Sequence, residues 1–203
     1  MNFYMFCKVS VCINKQNKEG RSGFRNRALT YKLLYFKSIN RRFSPENDDI
    51  CYVNDLYIAN DKLYVSMFSY PPKKNPLSFA NKTNLGVILE YSLQERKVVK
   101  ICNDKLLQPH SVLRNKMFYC VSGEFLVKRN EEDIFKCLGY TRGLAVRNQT
   151  LFVGQSESRQ IPVLLNKHTN ILLDCGIYVH DISTKLSSFI HIPSEEIYGI
   201  LVI

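Results

Sequence analysis

The chain has 203 residues, 45% of them hydrophobic and 23% charged, with 12 Tyr, 12 Phe, no Trp and only 9 Gly and 7 Pro. This composition excludes a disordered, collagenous or membrane-bundle protein as a description of the whole chain, and leaves one all-β domain or two smaller ones with apolar side chains enough for a core. The formal net charge of +10 is unevenly placed: nine Lys and Arg between Lys15 and Arg42 face one acid, Glu19, so this stretch holds +8 and the remainder +2. A broad phosphate-binding face on the folded part is thereby disfavoured; the basic N-terminal arm is read first as a solvated leader, and nucleic acid or anionic lipid is not expected except through it.

Taken in chain order, Met1 to Ile13 is apolar but too short to span a bilayer, and no small-residue cleavage site precedes the basic run. The chain is therefore expected to be soluble and cytoplasmic, with residues 1–49 a basic segment of undetermined structure. From residue 50 onward, short alternating runs rich in Val, Ile, Leu, Tyr and Phe are cut by turn residues, and no stretch keeps apolar residues at i, i+3, i+4, i+7. Residues 50–203 are accordingly read as β-sheet.

These runs repeat. Leu56 to Ser66, Val112 to Cys120 and Leu144 to Gly154 each read as strand, Asn-led tight turn, strand, with Asn60, Asn115 and Asn148 at the turns. Asn suits such a turn because it tolerates positive φ and bonds its own backbone. A second hairpin follows each: Gly86 to Ile101, Gly123 to Cys137 and Gly176 to His191. The turn Asn advances from 60 to 148 over two repeats, a mean of 44, and the Gly marker from 86 to 176, a mean of 45. Four strands every 44 residues or so is the pattern of β-propeller blades. Three blades run from Asn54 to His191, and Glu195 to Ile203 reads as the first strand of a fourth. About three and a half blades leave two readings: the N-terminal 50 residues supply the missing strands of a four- or five-bladed ring, with Phe3 to Ile13 pairing with the C-terminal strand, or the ring is incomplete, the reading preferred here.

The seven cysteines, at 7, 12, 51, 102, 120, 137 and 175, are odd in number and include no C-x-x-C pair. They are read as reduced thiols serving as small apolar side chains, neither a disulfide framework nor a zinc site. Without secretion, the sequons at Asn81 and Asn148 carry no meaning. No nucleophile elbow, Gly-rich phosphate loop or H-E-x-x-H motif occurs, and of the four histidines His180 and His191 sit on alternating strands as filler.

The repeat phase nevertheless locates a site. The first strand of a propeller blade lines the central channel, and Asn54 lies nine residues before Leu63, Arg142 nine before Leu151, and His110 eight before Phe118. All three are expected at the channel mouth. Arg159 is expected to overhang it, and Glu196 to enter at a similar point, either as a carboxylate for a cation or as a neutraliser of the arginines. Segments 69–85 and 155–175 are long enough to be lids or protein-partner surfaces. Guanidinium, imidazole and amide together suit a small carboxylate, phosphate or sugar acid.

Several segments in order, Val53-Asn54-Asp55-Leu56, Gln108-Pro109-His110-Ser111, Gly139 to Ala145, Phe152 to Ser156 with Arg159, Cys175 to Val179 and Glu195 to Tyr198, resemble the domain-of-unknown-function 4915 family over residues 51–203. The resemblance implies a propeller, and no established activity comes with it. Two departures stand out: residues 1–49 have no clear counterpart, and Cys51 and Tyr52 stand where the family commonly carries a His. The reading is a propeller that binds a small polar, anionic ligand and needs no cofactor. Alternatives are a hydrolase or lactonase with a divalent metal held by Asn54 and Glu196, and a protein-interaction platform.

Overall fold

A computed structural model of the chain describes residues 10–13, 51–70, 85–113, 117–158 and 161–202. The basic arm, the turn at Asn115, most of the segment 69–85 and Arg159 lie outside the described residues.

The first strand, β1 (Ser10–Ile13), pairs in parallel with the last, β14 (Gly199–Val202), the pairing expected of the two ends. Between them stand three four-stranded antiparallel sheets, each in chain order. The first holds β2 (Val53–Ala59), β3 (Lys62–Met67), β4 (Gly86–Ser92) and β5 (Lys97–Leu106). The second holds β6 (Pro109–Leu113), β7 (Phe118–Val121), β8 (Leu126–Arg129) and β9 (Glu132–Lys136). The third holds β10 (Tyr140–Arg147), β11 (Thr150–Ser156), β12 (Gly176–Asp181) and β13 (Ser187–His191), and a five-residue helix, α1 (Ile161–Leu165), lies in the long β11–β12 connection. The grouping of strands into fours is the grouping the repeat predicts.

Turn chemistry explains the hairpins. Ala59 pairs with Lys62 across a two-residue loop in which Asn60 (φ 47°) and Asp61 (φ 57°) are both left-handed, the geometry that matches strand twist. Asn148 (φ 57°) and Asn130 (φ 56°) open the corresponding loops of β10–β11 and β8–β9. A second shared feature is a bulge: β2 has one extra residue between Val53 and Asp55, and β10 one between Thr141 and Leu144. Asn54 and Arg142, equated by repeat phase, thus occupy the same irregularity at the head of their sheets.

Two expectations are corrected. Gly123 to Phe125 does not extend β8; Ser122–Glu124 is a 3-10 turn, closed by Phe125 N–H donating to the Ser122 carbonyl at 3.2 Å. Phe125 then takes φ 62°, and its ring goes into the core at 1% exposure, so apolar burial overrides the alternation that suggested a strand. At the C-terminus, only Gly199–Val202 of the segment starting at Glu195 is strand.

The chain packs as two compact units, Asn14–Pro109 and His110–Ile203 with Met1–Ile13. In the first, Leu56, Leu63, Val65, Met67, Val87 and Leu89 form a core with Cys51, Val53 and Tyr91. In the second, the face of the third sheet carrying Leu144, Leu151, Val153 and Tyr178 packs on Phe118, Cys120, Phe125, Val127 and Cys137 of the second sheet region. Its opposite face packs Ile177 and Phe152 with Cys175 against Ile197, which is fully buried. The inner strands β11 and β12 are covered on both faces and are buried at successive positions, whereas the outer strand β13 is largely exposed.

Candidate functional site

The site develops from the bulge in β10. Gly143 adopts φ 74°, and its N–H donates to Ser111 Oγ at 2.9 Å, tying β10 to β6. On the other side, a Cβ on Gly154 would stand 2.1 Å from the Arg142 carbonyl oxygen, so β11 can pass Arg142 this closely only as glycine. The backbone that carries Arg142 is therefore held from both sides.

The 195–198 segment is stitched to the end of β11. Glu157 N–H donates to the Glu195 carbonyl at 2.9 Å, and Ile197 N–H to Ser156 Oγ at 3.1 Å. This brings Glu196 and Tyr198 to Arg142: Nη1 donates to Glu196 Oε1 at 3.3 Å, and the guanidinium carbon lies 5.4 Å from the centre of the Tyr198 ring. The Arg142 and Glu196 side chains are 21% and 16% exposed. An arginine so placed is aimed and partly desolvated.

His110 is drawn into a different structure. Its Nδ1 lies 2.9 Å from Ser122 Oγ, and the Ser122 hydroxyl donates to the Thr141 carbonyl. With its proton committed to that carbonyl, the hydroxyl is an acceptor toward His110, which fixes Nδ1–H as the donor. This polarity is the reverse of a nucleophilic serine activated by a histidine base. Thr141 Oγ1 also reaches Ser122 Oγ at 3.5 Å, and Ser122 and Thr141 are fully buried. The trio joins β6, the 3-10 turn and β10.

Neither a protein-family model nor a curated protein matches the chain. Among solved structures, the computationally designed Ika8 protein is similar with a TM-score of 0.41 and 9% identity, over 74% of this chain and 40% of that one. The chain thus spans less than half the length of that structure.

Of the five residues singled out by sequence, the structure brings Arg142 and Glu196 together and links His110 to the residue preceding Arg142. Asn54 belongs to the other unit, where its Nδ2 donates to the Pro109 carbonyl at 2.8 Å. Arg159 lies outside the described residues. Among the described residues, no three His, Cys, Asp or Glu side chains come together as metal ligands. Burial raises the Cys175 and Cys137 thiols above their ordinary range, making them poor nucleophiles at neutral pH. Among the described residues, no helix is long and apolar enough to cross a membrane.

Segment 155–175, expected as a lid or a protein-partner surface, is anchored to the rest of its unit at a few points, while Leu165 and Leu173 in it are exposed. Leu164 is 2% exposed in the core, and Gln155 Nε2 donates to the Leu172 and Asp174 carbonyls at 3.3 and 2.8 Å. Gln155 and the Ser122–Thr141 pair are the structural polar residues that the sequence did not reveal; they carry no motif, and only the fold brings them to their partners. His191 is exposed, not filler as expected, whereas His180 is 4% exposed.

Proposed function

We propose that this chain is a β-propeller-like binding module, akin to the domain-of-unknown-function 4915 proteins, that takes a small anionic ligand such as a sugar acid, dicarboxylate or phosphate at Arg142. The observation that carries the reading is the Arg142 guanidinium, braced by Glu196 and Tyr198 on a backbone pinned at Gly143 and Gly154. Three sheets of four strands in chain order, with the same bulge at the head of two, support the propeller. The near-neutral charge outside the basic arm favours a single anion-binding point over a polyanion track.

Glu196 acts in this reading as an internal anion occupying part of the guanidinium. A ligand carboxylate competes with it, so Glu196→Gln strengthens anion binding while Arg142→Ala abolishes it. A thermal-shift screen of sugar acids, dicarboxylates and phosphates on the three proteins tests this, because a ligand of the native state alone raises its melting temperature. Hits that Arg142→Ala loses and Glu196→Gln enhances support the reading. Hits that persist in Arg142→Ala refute it.

A further inference from the structure

Two histidines outside the candidate site share an unusual environment. His168, just after α1, stacks on Phe125 with ring centres 3.8 Å apart and planes 12° from parallel. His180, on β12, stacks on Phe135 of β9 at 4.4 Å and 28°. Both histidines belong to the third sheet or its long connection, and both phenylalanines to the second sheet region. The two stacks are therefore points at which one sheet grips the next. Phe125 is 1% exposed and His180 4%.

In each imidazole Nε2 is buried without a hydrogen-bond partner among the described residues. His180 Nδ1 is satisfied by Ser187 Oγ at 2.8 Å on the adjacent strand β13, which favours the tautomer protonated at Nδ1 with a bare Nε2. A second proton would have to sit on Nε2, where no described residue accepts it. Desolvation accordingly lowers the proton affinity of both rings below the ordinary histidine value. Lys136 on β9 and Lys167 act in the same sense on His168, opposed by the Gly123 backbone and by Glu124 of the 3-10 turn. On His180, Lys185 of the β12–β13 turn acts in the same sense and Asp181 opposes it. In both cases the carboxylates are outweighed.

We propose that the paired His168–Phe125 and His180–Phe135 stacks form an acid-sensitive latch, closed while both imidazoles are neutral and released, with segment 161–175, when they take up protons. Because the closed state disfavours the charged form, the latch is fully stable above the unperturbed histidine pKa of about 6.5 and loosens as pH falls below it. Each imidazole contributes at most about a tenfold rise in the opening constant per pH unit.

Hydrogen exchange of the full chain, corrected for the intrinsic pH dependence of exchange, tests the latch between pH 7.5 and 5. The expected result is a rise of tenfold or more in exchange of residues 161–175 in the wild type, and a flat profile in the His168→Phe, His180→Phe double variant, which keeps the stacks and removes the protons. Unchanged protection in the wild type, or an equal rise in the variant, would overturn the proposal. Should the variant not fold, nuclear magnetic resonance titration of the wild-type imidazoles decides: both titrating below 6.5 supports the latch, and either titrating at or above 6.5 overturns it.

Discussion

Replacing Ser122 with alanine separates a structural hydroxyl from a catalytic one. Ser122 Oγ accepts from His110 Nδ1 at 2.9 Å and donates to the Thr141 carbonyl, and it is fully buried. Two buried hydrogen bonds contribute about 1 kcal/mol each, and a polar group stranded in the interior adds to the loss. The methyl group of alanine offsets none of this, so Ser122→Ala should destabilise by about 2–3 kcal/mol. For a chain of this size that lowers Tm by roughly 4–12 °C. Urea unfolding with a calorimetric scan measures it, with the exposed Ser188→Ala as a control expected to change stability by less than about 0.5 kcal/mol. A loss below about 0.5 kcal/mol for Ser122→Ala would refute the view that this hydroxyl locks β6, the turn and β10 together.

Other substitutions probe the same frame. Gly154→Ala forces a Cβ to within 2.1 Å of the Arg142 carbonyl; a loss of about 1–3 kcal/mol is expected from overpacking, and unfolding no easier than wild type would contradict the close approach. Leu151→Ala, at a fully buried position of the third sheet, should cost about 2–5 kcal/mol by equilibrium unfolding. Cys175, buried with its thiol raised in pKa, should react with iodoacetamide at pH 7 well over tenfold more slowly than a free cysteine. The Asp181 carboxylate accepts from the Ser183 and Thr184 hydroxyls and N–H groups, which lower its pKa to about 2. It should stay ionised until the pH falls to about 2, and a titration midpoint near 3.8 by carbon-13 resonance would contradict those bonds.

Most of the strand pattern was legible in the sequence because hairpins are specified locally. Asn60 and Asn148 sit at turns that need positive φ, and the second hairpin of each sheet is marked by its own apolar run. What could not be read depends on long-range packing. Phe125 looked like a strand residue because its neighbours alternate, yet the core took its ring and bent the chain at Ser122. The helix α1 spans five residues, too short for a helical period, and is held by Leu164 in the core. The site shows the same division. Repeat phase brought out Arg142 and Glu196, which the structure places in contact; of the two roles expected for Glu196, that contact is the arrangement its role as neutraliser requires. The Ser122–His110–Thr141 trio joins residues 12 and 19 positions apart, and the two His–Phe stacks join residues more than forty apart, through common residue types, so no local signal precedes them.

The central claim is that Arg142 binds an anion through its planar fork and not through charge alone. Isothermal titration of a dicarboxylate or sugar acid into wild type and Arg142→Lys at pH 7 and low salt tests it most directly, since lysine keeps the charge and loses the bidentate geometry. Binding by the wild type that weakens about tenfold or more in Arg142→Lys is the predicted result. Equal affinity in the two proteins would contradict the claim.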